Sequence, residues 1–235
     1  VFKKYQAAQN LLEVTRDTEK LVREAQAEVD KAKETLIVKA QALKKVRVAA
    51  APKLCDAVTK QMSHLQMGSA QIELNFEDLP FEQWNKVGST KIELMYKPSA
   101  QMTARPLRKI ASGGEVSRVM LACKVVLGES DVCDTLVFDE VDAGVGGATA
   151  VALAEVLAQL AKTHQVIVVT HLPQVAVMAS KQYVVSKTEE HNALPITSLT
   201  EVSGTQREEE IARMLSGSIT EASLAHAHEL LSEVR

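Results

Sequence analysis

The residues best suited to chemistry lie at the two ends of one stretch, Lys109 to Gly147. At the first end, Ser112-Gly113-Gly114-Glu115 precedes an apolar run that predicts a helix. Two glycines let a backbone approach a ligand closely, and a helix N-terminus presents unpaired N–H groups with a partial positive charge. That chemistry suits a phosphate. The same spacing of Ser112 and Glu115 also makes a capping box, which would begin any helix, so these residues alone leave both interpretations open.

At the other end, Asp139 and Glu140 follow Thr135–Phe138, four residues that predict a buried strand. P-loop ATPases use such a pair, in which the Asp serves the magnesium ion and the neighbouring residue orients the attacking water. A second predicted strand, 166–169, leads to His171. Because ligands of open α/β sheets gather at the carboxyl ends of strands, we expect these three side chains to face one crevice. A strand that runs into an acidic turn is common, so the prediction depends on all three motifs together.

The motifs resemble those of ATP-binding-cassette ATPases. The segments SGGE, TLVFDEVDAG and VTHLPQVA resemble the signature motif, the Walker B strand and the switch-histidine segment, and the wording DEVDAG is similar to that of the SMC branch. The longer runs PLRKIASGGEVSRVMLACKVVL, DEVDAGVGG, VTHLPQVAVMA and IARMLSG resemble bacterial DNA-repair members of that branch. The resemblance covers essentially the whole chain. It implies an α/β fold, the C-terminal lobe of an ATPase head, joined to one helix of an antiparallel coiled-coil arm.

The resemblance also implies roles and partners. Asp139 would hold Mg²⁺, Glu140 would polarise the attacking water, and His171 would contact the γ-phosphate of ATP. The residues implied to bind ATP on the opposite head are Ser112, Gly113, Gly114 and Glu115. Two heads would sandwich ATP as a homodimer and act on single- or double-stranded DNA ends in double-strand break repair. No G-x-x-x-x-G-K-[ST] motif occurs in the chain, so the resemblance implies a P-loop supplied by an N-terminal half.

Residues 1–66 predict a coiled-coil helix that leads into the head, and residues 67–235 predict the C-terminal half of that head. The helical segment has no glycine and one proline, Pro52, which would bend the helix or begin a new one. Apolar residues at coiled-coil spacing form a seam of Val22, Ala25, Val29, Ala32 and Leu36. Alanine makes this seam weak, so we expect a partner helix. Within the head, a helix over 148–161 is expected to turn Val151, Ala154, Leu157 and Ala161 inward.

Charge is divided unevenly along the chain. Residues 1–60 carry 13 Lys and Arg against 8 Asp and Glu, whereas residues 61–235 carry 14 against 22. A basic arm on an acidic body suits a nucleic-acid partner, although a solvated helix surface with mixed charges explains any single lysine equally well. The first candidates for DNA contact, near the head end of the arm, are Lys44, Lys45, Arg47 and Lys53.

The cysteine content, the hydropathy and the first residue of the chain limit the class of protein. Three cysteines with no C-x-x-C pair favour a reducing cytosol and no zinc site. No apolar run reaches membrane-spanning length and no signal peptide is visible, so we expect a cytoplasmic, nucleoid-associated protein. The chain begins at Val1 and not at Met, which predicts a fragment. Two alternatives stay open: a non-catalytic coiled-coil interaction module, and the cassette domain of a transporter. ATPase activity in the presence and absence of DNA distinguishes them.

Overall fold

A computed structural model describes residues 2–110, 112–128, 133–188 and 196–234, so Ala111 of the signature run lies outside the described residues. The chain combines helices and strands in an α/β fold. Their bounds are α1 (Phe2–His64), β1 (Gln71–Asp78), β2 (Thr90–Lys97), β3 (Arg105–Pro106), α2 (Gly113–Leu127), β4 (Thr135–Phe138), α3 (Ala148–Leu160), β5 (Gln165–Val168), α4 (Pro173–Ala176), β6 (Gln182–Thr188), β7 (Ile196–Val202), α5 (Gly204–Ser216) and α6 (Glu221–Glu233). The strands form three sheets, ordered β1-β2-β3, β4-β5 and β6-β7.

Helix α1 runs without interruption through Pro52. Of the two outcomes expected of this proline, a bend or the start of a new helix, the start of a new helix does not occur. Its content of Ala, Lys, Glu and Gln favours the helix strongly enough to tolerate the loss of the one backbone hydrogen bond that a proline cannot donate. Along the predicted seam, Val22, Val29 and Leu36 are exposed. An apolar stripe on a long helix is stable in water only when another surface covers it, so the seam is available to a partner helix.

The chain divides into two compact units, residues 1–52 with 75–93 and residues 53–74 with 94–235. In the first unit, the loop after β1 packs on the helix through Phe81, whose ring centroid lies 4.8 Å from Lys33 Nζ. Trp84 packs beside Phe81 with ring centroids 5.0 Å apart, and its indole Nε1 donates to the Leu79 carbonyl at 2.9 Å. The predicted domain boundary after residue 66 stays a prediction.

The second unit is built around a β4-α3-β5 crossover. The two strands pair in parallel, with Leu136 opposite Val166 and Phe138 opposite Val168. Of the four α3 residues expected to face inward, two are buried, but Val151 and the residue after the helix, Ala161, are exposed. The buried set is Ala150, Leu153, Ala154, Val156, Leu157 and Leu160. A helix that is apolar almost all round does not specify one stripe, so the packing partners select the buried face.

Two details of this unit concern its packing and the reactivity of a thiol. Arg207 Nη2 donates to the carbonyls of Ala176, Val177 and Ala179 at 3.1, 3.1 and 2.7 Å, which ties α5 to the end of α4. Burial raises the pKa of the Cys123 thiol to about 11, so this thiol stays protonated and unreactive near neutral pH.

Among the described residues, no helix is long and apolar enough to cross a membrane.

Candidate functional site

The carboxyl ends of β4 and β5 lie at one edge of their sheet. The Val169 amide donates to the Phe138 carbonyl at 2.9 Å, so the pairing continues to the last residue before the polar turns. Asp139 and Glu140 follow β4, His171 follows β5, and all three residues are exposed. The structure therefore brings the three strand-end residues singled out from the sequence to a single edge.

The start of α2 lies beside the same edge. Ser112 is the N-cap, and its Oγ accepts from the Glu115 amide at 3.4 Å, which confirms the local role expected of that serine. Further along the helix, Ser117 Oγ donates to the Asp139 carbonyl at 3.0 Å and joins α2 to the end of β4. The signature segment and the acidic pair are thus held together by a direct bond within one chain.

Glu140 has an unusual backbone and a close neighbour. Its φ of 55° lies in the left-handed region, which costs a residue with a Cβ roughly 1–2 kcal/mol. Its carboxylate rests against Gly113, where a Cβ would come within 2.7 Å of Glu140 Oε2. The partial positive charge at the start of α2 favours a carboxylate at this position. The absence of a side chain at Gly113 therefore lets the Glu140 carboxylate lie directly against the start of α2.

The loop after Glu140 is clamped onto α2 by Arg118, a residue that the sequence did not single out. Its Nη1 donates to the carbonyls of Val141 and Ala143 at 3.2 and 2.9 Å. Gly114 allows the close approach, because a Cβ there would lie 2.9 Å from Ala143 Cβ and 3.1 Å from its carbonyl oxygen. The second glycine of the signature is thus a packing residue in this structure.

Replacing Gly114 by Ala is expected to destabilise the protein by about 1–3 kcal/mol, the usual cost of overpacking. The substitution would otherwise favour the helix, so a loss of stability isolates the clash with Ala143. Denaturant unfolding of the variant measures this change. Gly146→Ala is the matched control, since a Cβ at Gly146 meets nothing within 4 Å. Equal stability of the two variants would contradict the contact.

Glu115, expected to bind ATP, lines a cavity of about 280 Å³ beside α2. Arg118 and Tyr96 share this cavity with it. Burial first, and then the charge of Glu115, raise the pKa of Tyr96, while Arg118 lowers it. The structure therefore places Glu115 among protein side chains at the flank of the helix, and its role toward a nucleotide stays a prediction.

Asp142 is the residue that sequence reasoning missed at this edge. It is 3% exposed, and its Oδ2 lies 2.5 Å from Thr170 Oγ1, 3.0 Å from the His171 amide and 3.1 Å from His171 Nδ1. The Leu172 amide in turn donates to Thr170 Oγ1 at 3.0 Å. The only sequence feature that could have pointed to Asp142 is its position two residues after Glu140, in the same turn. Acidic residues in turns are ordinarily exposed, so this position did not indicate a buried role.

A magnesium ion at this edge of the sheet would need only one or two ligands from the protein. Over the described ranges, no group of three or more His, Cys, Asp or Glu residues is placed to hold a metal by itself. Mg²⁺ keeps several waters and is usually bound by one or two carboxylates together with substrate phosphates. The exposed carboxylate of Asp139, at the strand end, fits that partial role.

Comparison with known proteins gives a consistent set of relatives. No protein-family model matches the chain. The chain is 41% identical over 227 residues to the DNA repair protein RecN of Deinococcus radiodurans, which covers 97% of this chain and 39% of that protein. It is 40% identical over 207 residues to RecN of Streptomyces coelicolor, covering 83% of this chain and 36% of the relative. The chain thus spans less than two fifths of the length of these relatives.

Solved structures agree on the fold. An Smc head domain with a coiled coil and joint from Pyrococcus yayanosii matches 87% of this chain and 36% of its own, with a TM-score of 0.56 at 19% identity. The Smc head of Pyrococcus furiosus with an extended coiled coil, solved with the C-terminal domain of ScpA, matches 95% of this chain and 47% of its own, with a TM-score of 0.52 at 19% identity. The fold is therefore that of an SMC-type head lobe joined to one helix of a coiled-coil arm. Together these likenesses place the chain in the RecN family, as a C-terminal portion of its members.

Proposed function

We propose that this chain is the C-terminal lobe of an ATP-hydrolysing SMC-type head that acts in the repair of DNA double-strand breaks. The observation that carries the proposal is the common edge at which Asp139, Glu140 and His171 lie, with the start of α2 beside it. The printed name of the relatives, DNA repair protein, supports the biological setting. A cytoplasmic, nucleoid-associated location follows from that setting.

In this proposal Asp139 would help to hold Mg²⁺, which would neutralise the negative charge that develops on the phosphate. Glu140 orients the attacking water and accepts its proton, and His171 contacts the γ-phosphate. The start of α2, at Ser112 and Gly113, receives a nucleotide held by a second head, so that ATP joins two heads. Because the Glu140 carboxylate now rests against Gly113, a phosphate arriving there requires that side chain to move aside.

The uncovered face of the β4-β5 sheet supports a second lobe that carries the P-loop. Leu136 and Phe138 are buried on one face, whereas Val137, Ile167 and Val169 are 66%, 47% and 58% exposed. Parallel sheets are ordinarily covered on both faces. The relatives have more than half of their length outside the matched region, enough for such a lobe. The exposed seam of α1 is the corresponding surface for the other helix of the arm.

The direct test is ATP hydrolysis by the complete protein, measured with and without DNA. We expect magnesium-dependent turnover that DNA stimulates. Absence of any turnover under both conditions would favour the non-catalytic interaction module. Turnover that DNA leaves unaltered would remove the coupling to DNA from the proposal.

The structure refines the set of cations proposed to contact DNA. Lys44 Nζ pairs with Asp78 at 2.7 Å, and Arg47 Nη1 donates to the Val87 carbonyl at 2.7 Å, so both have partners within the chain. Lys45 and Lys53 are exposed on α1. These two are therefore the better candidates of the original four.

The DNA affinity of the complete protein is expected to fall steeply with salt, with a log–log slope of roughly −0.9 for each phosphate neutralised. Lys45→Gln with Lys53→Gln should make this slope shallower by roughly 2 units if each lysine contacts one phosphate. Fluorescence anisotropy over a salt series measures the slope. Lys91→Gln is the control, because its ammonium already pairs with Glu77 at 3.2 Å. A salt-independent affinity, or an unchanged slope in the double variant, would reject the assignment.

A further inference from the structure

Asp142 is buried, and among the described residues the hydrogen bonds of its carboxylate run to the neighbouring strand end. Burying a carboxylate is costly unless donors surround it, and here three donors converge on Oδ2 from Thr170 and His171. The parallel register sets this geometry, because Phe138 pairs with Val168 and the two turns leave the sheet side by side. The Asp142 carboxylate therefore binds the turn that follows β5 and does not face solvent.

The contact with the imidazole orients His171. An ionised carboxylate only accepts hydrogen bonds, so the ring nitrogen 3.1 Å away, Nδ1, carries the hydrogen that it donates. The other nitrogen, Nε2, then lies on the far side of the ring. The His171 side chain is 69% exposed while that of Asp142 is 4% exposed, so one end of the ring is anchored and the other is accessible.

Two further bonds fix the turn on which the ring stands. Oδ2 also accepts from the His171 amide, so backbone and side chain of this histidine are held by the same atom. Thr170 Oγ1 donates to Asp142 and accepts from the Leu172 amide, immediately before Pro173 begins α4. The histidine thus lies on a turn that several hydrogen bonds hold in place, although its ring is exposed.

We propose that Asp142 is a positioning residue for His171: it sets the ring angle and accepts from Nδ1, so that Nε2 is directed at the proposed γ-phosphate and donates to it when both ring nitrogens carry a hydrogen. The inference rests on the proposed function, because it needs a phosphate as the target of Nε2. It assigns Asp142 no contact with nucleotide or metal. The partner that orients a ring is a common determinant of which histidine nitrogen reacts.

The first measurement needs no variant of Asp142. In the complete protein with ¹⁵N-labelled histidine, the signal of His171 is identified by its loss in His171→Gln. At alkaline pH we expect nitrogen shifts of the Nδ1–H form of the ring. The Nε2–H form in the unaltered protein would overturn the proposal. In Asp142→Asn we expect the ring to lose this preference.

The second measurement is a double-mutant cycle on ATP hydrolysis by Asp142→Asn, His171→Gln and the double variant. We expect Asp142→Asn to lower kcat roughly 10-fold or more, the usual loss on removing a partner that orients a histidine, with ATP affinity little changed. In the His171→Gln background the same change should cost less than about 2-fold, because residues that act as a unit are not additive. Equal losses in both backgrounds would overturn the proposal.

Asp134→Asn is the matched control, since it makes the same chemical change at an exposed carboxylate before β4 and should leave kcat unaltered. If Asp142→Asn fails to fold, Thr170→Val replaces it in the double-mutant cycle. We expect Thr170→Val to lower kcat less than His171→Gln does and to keep the Nδ1–H signal. Glu140→Gln separates the two proposals. Normal turnover in that variant would reject the proposed ATPase site, whereas an inactive Glu140→Gln with an additive cycle would reject the positioning role alone.

Discussion

Replacing Glu140 by Gln in the complete protein is expected to abolish ATP hydrolysis while ATP binding persists. The amide has the shape of the carboxylate but cannot accept a proton from the attacking water. A positioned general base contributes typically about 10²–10⁴-fold to the rate, and a loss of that size is expected here. Glu140 is exposed at the strand edge, so the substitution leaves the hydrophobic core intact. ATP-bound dimers should accumulate, because the step that releases them is blocked.

Steady-state ATPase assays and size-exclusion chromatography with ATP measure the two effects. Glu155→Gln is the matched control, as Glu155 is exposed on α3 and has no proposed role. Ser112→Arg provides a contrast, because a bulky cation at the α2 N-cap should prevent dimer formation with little change in ATP affinity. Normal turnover by Glu140→Gln would exclude Glu140 as the base, and equal loss of ATP binding and dimerisation in Ser112→Arg would contradict its action on a second head.

The second large effect is expected for this chain by itself, which should bind ATP poorly and hydrolyse none. A triphosphate must be held by a nest of backbone N–H groups and a lysine before Mg²⁺ and a water can be placed. In these 235 residues no P-loop sequence supplies them. The N-terminus of α2 offers one donor cluster, and the Glu140 carboxylate already rests against it. We therefore expect Asp139 and His171 to have no bound nucleotide to act on in this chain alone.

Mixing this chain with a separately produced N-terminal half should restore hydrolysis. The chain by itself is also expected to aggregate, because Val137 and Val169 leave one face of a parallel sheet uncovered. Calorimetric titration with ATP, ATPase assays and light scattering, each before and after mixing, measure the three changes. The same mixture prepared with Glu140→Gln controls for contaminating ATPases. Robust turnover by the unmixed chain that Glu140→Gln abolishes would show that the site needs no second lobe.

Local sequence patterns determined most of the secondary structure. Residues 70–76 and 91–96 alternate apolar and polar side chains, a pattern typical of strands, and β1 and β2 contain all of them except Ala70. Helical spacing and the Ser112 cap predicted α2, and four apolar residues before Asp139 predicted β4. These features depend on neighbours a few residues away, which is why sequence periodicity was sufficient. The motif order also predicted that Asp139, Glu140 and His171 would share an edge, because parallel strands end on the same side.

Tertiary structure alone decided the features that depend on residues far apart in the chain. Asp142 looked like one more acid in a turn, yet it is buried because the β5 turn supplies three donors about thirty residues later. Val151 fitted an inward stripe, yet the surrounding packing buries Leu153 and leaves Val151 exposed. Lys44 looked free for DNA until β1 brought Asp78 to it. In each case charge and hydrophobicity were known from the sequence, but the fold chose the partner and hence the role.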